Sequence, residues 1–364
     1  MEYRKLPKGE ENISILGFGG SGIHEAGFEE GVDTVRTAIE HGVNYFDLAV
    51  SESQAFDIYR EAFRDVRSDI YLQIHFGADY SSGKYGWTTE VNRIKEGIHW
   101  LLKKLNTDYI DFGFIHCIDE PADLKKYNSS GALTYLQQLK EEGIVRHIGM
   151  SSHTPEIVNQ MLDTGLLDVV MFSINPAYDY RQGEYAAGSS DERLALYQRC
   201  EKEKVGITVM KPFAGGQLLD EKLSPFKKSL TKYQCIQYAL DKPGVINVLP
   251  GCRNKKDLMD VLGYLDAPQE ERDYSVLGTF TPAEAKGRCV YCSHCHPCPK
   301  GLDIAMINKY YDLAAAGDAL AADHYRKLEL HAGDCIQCGH CDKRCPFHVA
   351  QMDRMKTIQK YFGL

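Results

Sequence analysis

Along the first three-quarters of the chain, short apolar runs alternate with stretches whose apolar residues recur every three or four positions. The short runs read as buried strands at 13–17, 44–48, 70–76, 109–116, 145–150, 169–174, 206–210 and 245–249. Between them the periodic stretches read as helices near 31–41, 54–65, 89–105, 131–142, 155–164, 191–203, 230–240 and 255–265. Gly42, Gly143 and Gly165 follow three of these helices, where a left-handed cap is wanted. Strand and helix in strict alternation imply βα units on a parallel sheet. Eight of each in about 265 residues is the arithmetic of a (β/α)8 TIM barrel. A doubly wound sheet shares the alternation, but no Gly-x-Gly-x-x-Gly opens a helix after a strand.

The pattern breaks at 268–288, where Pro268, a charged Gln-Glu-Glu-Arg-Asp run and Thr281-Pro282 mark a boundary. The expected division is a barrel over 1–275 and a small C-terminal helical domain over 276–364. Within the latter, 305–316 and 319–331 read as a helical pair. The tail 350–362 reads as a helix with Met352, Met355 and Ile358 on one face.

That helical pair separates two cysteine runs. The second, Cys335, Cys338, Cys341 and Cys345-Pro346, has the C-x2-C-x2-C-x3-C-P spacing of bacterial ferredoxins. The first, Cys289, Cys292, Cys295 and Cys298-Pro299, is one residue shorter before its last cysteine. Three closely spaced thiolates wrap one face of a [4Fe–4S] cube, while the fourth turns away to the other cube. The spacing therefore assigns Cys289, Cys292, Cys295 and Cys345 to one cluster, and Cys335, Cys338, Cys341 and Cys298 to the other. Structural zinc is the rival reading, although a zinc site needs only two CxxC pairs and no Cys-Pro. His294, His296 and His340 stand among the ligands and read as outer groups, since eight cysteines complete two cubes.

Composition narrows the class. The 364 residues are 43% hydrophobic with a mean hydropathy of −0.36, ordinary for a soluble protein. No apolar run reaches the ~20 residues of a membrane span. The N-terminus carries no secretory signal pattern. A net charge of −9 argues against nucleic acid as a partner. Cys117, Cys200, Cys235 and Cys252 lie singly elsewhere and read as reduced thiols. The expectation is a cytoplasmic, oxygen-sensitive redox protein suited to anaerobic conditions.

Three stretches of the barrel resemble the aldo/keto reductase family. They are His41-Gly-Val-Asn-Tyr-Phe-Asp47-Leu-Ala, Leu101-Leu-Lys-Lys-Leu-Asn-Thr-Asp108-Tyr-Ile-Asp through His116, and Glu141-Glu-Gly-Ile-Val-Arg-His-Ile-Gly-Met-Ser-Ser. More loosely, Val248-Leu-Pro-Gly-Cys-Arg-Asn254 resembles the family's loop for the cofactor phosphate. With the two cysteine runs, the whole chain resembles the branch fused to a ferredoxin-like 2[4Fe–4S] domain.

The resemblance implies a catalytic Asp, Tyr, Lys and His at the C-terminal mouth of the barrel. Asp47 and His116 match; Glu52 stands at the Tyr position and His75 at the Lys position. Met210 falls where the family stacks an aromatic on nicotinamide, and Met171 where a Gln holds its amide. Loss of the Tyr and Lys removes the usual proton donor of carbonyl reduction. Glu52 and His75 are the candidate replacements. Tyr80, Lys84 and Tyr85, in the long loop after the third strand, read as lid residues, with a direct role the alternative.

Barrels bind phosphate in the loops after strands seven and eight. Lys211, Gly215, Gly216, Gly251, Arg253 and Asn254 there form a candidate cradle for NAD(P) or a flavin. Nicotinamide delivers electrons in pairs and clusters singly, so the two sit uneasily together. The expected function is an oxidoreductase coupling one-electron transfer through two clusters to reduction of a small organic substrate. A ferredoxin or flavodoxin is the candidate donor, and the cluster lobe is expected over the barrel mouth. The alternatives are an NAD(P)H-dependent reductase with accessory clusters and a non-catalytic electron carrier.

Overall fold

The structure, a computed structural model, describes residues 1–180, 185–279, 286–315 and 318–364. Thr281 and Pro282 of the expected boundary lie outside the described residues. Its contacts gather into two compact units. The first comprises 1–174, 205–212 and 246–266; the second comprises 175–204, 213–245 and 267–364.

The first unit carries the barrel sheet. Its strands are β1 (Phe18–Gly19), β2 (Tyr45–Asp47), β3 (Tyr71–Phe76), β4 (Ile110–Ile115), β5 (Val145–Ser152), β6 (Val169–Ser173), β7 (Gly206–Met210) and β8 (Val245–Val248). They neighbour one another in sequence order from β1 to β8. Parallel bridges from Leu16 to Val248 and from Gly19 to Gly251 then close the ring. With a helix between successive strands, this is the (β/α)8 barrel that the alternation predicts.

The expected first strand, 13–17, divides in the structure. Asn12–Ser14 pairs antiparallel with Tyr3–Lys5 as a hairpin, and the barrel strand begins only at Phe18. Leu6 and Ile13 of this hairpin are fully buried with Tyr45, Phe112 and Val169. The apolar run thus serves two elements, which periodicity alone does not separate. A further helix, Pro121–Ser129, with proline in its first turn, lies outside the eight periodic stretches. The helix Val91–Leu105 shows why the others were legible. Ile94, Ile98, Leu101 and Leu105 form its buried stripe, and Asn106 ends it in the left-handed conformation.

The second unit contains the helices Ser190–Lys202 and Lys232–Leu240, each opened by a reciprocal capping box. Its cysteine-bearing part has an apolar core of its own, built from Leu302, Ile304, Ile307, Tyr325, Met355 and Ile358 around Cys295 and Cys341. Each such aliphatic side chain contributes about 1.5–3 kcal/mol on burial. Met355 and Ile358 confirm the tail helix (Gln351–Phe362) as a wall of the cysteine lobe.

Candidate active site and cysteine cavities

The ends of three neighbouring strands bring Asp47, His75 and His116 together. Asp47 closes β2, His75 is the penultimate residue of β3, and His116 follows β4. All three are buried. His75 Nε2 lies 2.7 Å from Asp47 Oδ1, and His75 Nδ1 lies 2.8 Å from His116 Nδ1. Gln73 Nε2 donates to Asp47 Oδ1 at 3.1 Å while its oxygen accepts from Tyr45 at 2.7 Å.

The chain of contacts continues outward to Tyr85, whose hydroxyl lies 2.7 Å from His116 Nε2. A carboxylate only accepts, so His75 carries its proton on Nε2 and accepts at Nδ1. His116 then donates from Nδ1 and accepts from Tyr85 at Nε2. Every atom of the row is satisfied with both imidazoles neutral. Burial, followed by the neighbouring His75, holds His116 well below the ordinary histidine value. Burial pushes the Tyr85 phenol up to about 12, so it stays protonated at neutral pH.

Tyr85 reaches the mouth because the chain doubles back after β3. Gly77 makes the turn at φ 125°, and a side chain there would meet the Thr88 carbonyl at 2.9 Å. Ala78–Asp79 then pairs with Gly86–Trp87. The loop between them is tied to the loop after β2. Tyr85 N donates to Ser51 O at 2.9 Å and Ser53 N to Gly83 O at 2.9 Å, while Trp87 Nε1 donates to His116 O, after β4, at 3.1 Å. Tyr80 is the buried anchor of this loop, its hydroxyl 3.1 Å from both Val50 N and Val50 O.

Glu52, the sequence candidate for an acid, is not joined to this row. Its carboxylate accepts from Gln54 Nε2 at 2.8 Å, and its backbone bridges to Lys84. Met171 packs in the barrel core with its sulfur 3.1 Å from Gln73 Nε2, and Met210 rests partly buried against the same core.

A second polar group, which the sequence did not signal, links Cys117, Asp119, His153 and Lys211. His153 Nδ1 lies 2.9 Å from Asp119 Oδ2, and Cys117 Sγ lies 3.8 Å from the same oxygen. Burial alone would raise Asp119; its hydrogen bonds from His153 win and hold the carboxyl below its usual value. Burial and Asp119 push the Cys117 thiol up to about 11. These three side chains are near enough to share a cation. However, Lys211 Nζ lies 2.7 Å from His153 Nε2, and an ammonium can only donate. Nδ1 therefore bears the proton given to Asp119, and the group is satisfied without a metal.

Of the candidate phosphate cradle, Gly251, Arg253 and Asn254 lie in the first unit with Lys211. Asn254 caps the helix Lys255–Leu262 by accepting from Asp257 N at 2.9 Å, and exposed Arg253 pairs with Asp257 at 3.1 Å. Gly215 and Gly216 lie in the second unit, at φ 66° and 90°.

In the second unit two cavities are lined by the cysteines in crossed sets. One holds Cys289, Cys292, Cys295 and Cys345; the other holds Cys298, Cys335, Cys338 and Cys341. N–H donors face the sulfurs, with Val349 N 3.4 Å from Cys345 Sγ and Gln337 Nε2 3.3 Å from Cys335 Sγ. Four sulfurs with N–H donors around them fit a thiolate-bound cluster in each cavity. His294 is engaged by Ser275 and Asp273, and His296 Nε2 accepts from Ile304 N at 3.1 Å.

Comparison with known proteins settles the ancestry. Residues 15–234, more than half of the chain, match the aldo/keto reductase family. The chain belongs to that family. Residues 287–350 match a 4Fe-4S dicluster domain, so an iron–sulfur module is joined to the reductase barrel, as the cysteine spacing predicts. This family member is 25% identical over 248 residues to YqkF, an oxidoreductase of Bacillus subtilis, covering 66% of this chain and 74% of that one. It is 24% identical to L-glyceraldehyde 3-phosphate reductase of Escherichia coli over 45% of this chain and 49% of that protein. Among solved folds it resembles aldo-keto reductase AKR11C1 of Bacillus halodurans, with a TM-score of 0.58 and 21% identity over 75% of this chain and 94% of that one. An aldo/keto reductase of Klebsiella pneumoniae in complex with NADP and acetate gives a TM-score of 0.52 at 17% identity, over 71% and 88% of the two chains. The chain is an oxidoreductase with iron–sulfur centres. Among the described residues no helix is long and apolar enough to cross a membrane.

Proposed function

We propose that this reductase takes electrons singly, from a ferredoxin- or flavodoxin-type donor, and reduces a small carbonyl compound at the Asp47–His75–His116 site. The division adopted is barrel over 1–275 and cluster module over 276–364, in a reducing compartment such as the cytoplasm. The observation that carries the reading is His75. Where the family places a lysine, this chain sets a buried imidazole between Asp47 and His116, at 2.7 and 2.8 Å. The replacement removes an ammonium from the site while keeping the carboxylate and the second histidine.

Two [4Fe–4S] clusters, held by Cys289, Cys292, Cys295 and Cys345 and by Cys335, Cys338, Cys341 and Cys298, would supply one-electron transfer. The barrel residues do the rest. Asp47 fixes the His75 tautomer, His75 fixes that of His116, and neutral His116 presents Nε2 to the mouth. Relatives named as reductases of glyceraldehyde 3-phosphate and of methylglyoxal support a small carbonyl substrate.

A second reading keeps NAD(P)H or a flavin on the barrel. Exposed Arg253 and the Asn254-capped helix start favour it, since a helix N-terminus with a nearby base suits a phosphate. Isotope labelling separates one-electron reduction from direct hydride transfer by nicotinamide. Anaerobically reconstituted protein is given methylglyoxal in D2O with either methyl viologen radical or NADPH. The one-electron route adds two electrons and two solvent protons, and therefore leaves deuterium on the new carbinol carbon. Reduction by NADPH alone, without deuterium at that carbon, would favour the nicotinamide reading. Reduced clusters that pass electrons to no carbonyl would leave an electron carrier.

A further inference from the structure

We infer that Tyr85, from the loop after β3, is the proton donor to the substrate oxygen, in place of the tyrosine missing at position 52. This rests on the carbonyl-reductase reading above. Proton donation to a developing alkoxide needs a group that is protonated at working pH, oriented, and open to both substrate and solvent. Tyr85 is the residue of the mouth that meets all three conditions. Its hydroxyl lies 2.7 Å from His116 Nε2 at the outer end of a row that begins at buried Asp47. The residue is 43% exposed, against 7% for His116 and 2% for His75. Its backbone is clamped to Ser51 at 2.9 Å, one residue from where the family pattern looks for its tyrosine. The phenol has thus moved in the sequence by more than thirty residues while the loop returns it to the histidine.

Glu52 and Tyr80 are poorer candidates. The Glu52 carboxylate is turned to Gln54, and the Tyr80 hydroxyl is buried against the Val50 backbone. The row also has a direction. Asp47 compels His75 to donate toward it, and that choice propagates to His116, whose Nε2 is left as an acceptor. His116 therefore orients the phenol and, being neutral and buried, does not take its proton outright.

The step is a proton transfer coupled to arrival of electrons. As two equivalents of the one-electron donor reduce the carbonyl, the Tyr85 hydroxyl turns its one hydrogen from His116 Nε2 to the substrate oxygen; the Tyr85 O–H bond breaks and an O–H bond forms on that oxygen. The second proton, bound for carbon, comes from water. The phenolate recovers its own proton from water at the exposed mouth. High phenol acidity is not required, because the acceptor becomes an alkoxide.

Two variants test this with methylglyoxal as substrate and methyl viologen radical as reductant. Tyr85→Phe keeps the ring and removes the hydroxyl. It should lower kcat about 100-fold or more, with KM changed less than about threefold and dithionite reduction of the clusters unchanged. Tetrafluorotyrosine placed at position 85 restores a hydroxyl of greater acidity. It should recover activity at low pH and introduce an alkaline limb that the native protein lacks over the same range. A structural tyrosine would not move the pH profile. Native protein that reduces methylglyoxal, with a Phe variant equally active or a fluorinated variant without the new limb, overturns the inference alone. Native protein that reduces no carbonyl overturns the reading on which it rests.

Discussion

His75 Nδ1 and His116 Nδ1 face each other at 2.8 Å, so the two rings share one hydrogen and cannot both be donors. A second proton on His75 would sit at Nδ1 and set two N–H groups against each other in a buried site, and one on His116 would sit at Nε2 and turn the Tyr85 hydroxyl from donor to acceptor. The row Asp47–His75–His116–Tyr85 is therefore held by having no spare proton, and its consequences can be measured.

The first concerns pH. Burial lowers His116 well below its ordinary value of 6.5. Below that value the unfolded chain binds a proton that the folded chain refuses, so stability is lost as pH falls from about 6.5 toward the depressed folded value. The slope should approach about 1.4 kcal/mol per pH unit for this one site. Urea midpoints at pH 7.5 and 5.5 should differ less in His116→Gln than in the native protein. An equal acid loss in both would place the sensitivity elsewhere.

Asp47→Asn tests the other end of the row. The amide can turn an N–H toward His75 and so reverse the tautomers outward to Tyr85. Carbonyl reduction should fall by about 10²–10⁴, the range for misorienting an acid–base partner. Iron content and cluster reduction by dithionite should be those of the native protein. A rate within a few-fold of native would mean that the row is structural.

For the clusters, crossing is the feature to test. Cys345→Ser should destroy the cluster held mainly by Cys289, Cys292 and Cys295, and Cys298→Ser the other. Each variant should retain about four iron and four acid-labile sulfide per chain in place of about eight. Loss of the cluster bound by the mutated cysteine's own run would contradict the shared cavities.

Asp111, on β4 away from the mouth, is a stability test. It is 1% exposed and accepts from Arg146 Nη1 at 3.0 Å, Leu72 N at 3.0 Å and Arg67 Nη2 at 2.9 Å. Burial raises its pKa despite both guanidinium groups. Asp111→Ala removes the only carboxylate that, among the described residues, faces partly buried Arg67, leaving it neutral acceptors on Thr107, Ile70 and Tyr109 and the Tyr109 ring, and should cost about 3 kcal/mol in urea unfolding. A change below about 1 kcal/mol would show the ion pair to be replaceable.

The sequence by itself determined most of the barrel's elements and the cysteine pattern. Strands β3 to β8 each match a mainly apolar run, because a strand buried on both faces is mostly apolar. The cysteine spacing carried the crossed sets, because ligands a few residues apart are constrained by local chain geometry. Asp47, His75 and His116 could be placed from the resemblance, since each ends a strand and strand ends meet at one mouth. What only the tertiary structure decided lies in the loops. Splitting of the first apolar run into a hairpin and β1 depends on pairing with Tyr3–Lys5, a partner periodicity does not name. The separation of Glu52 from the row, and the return of Tyr85 to His116, depend on backbone hydrogen bonds between two loops. Loop paths are set by such long-range pairings rather than by residue spacing, so the sequence could place Tyr85 at the mouth without showing which atom its hydroxyl would meet.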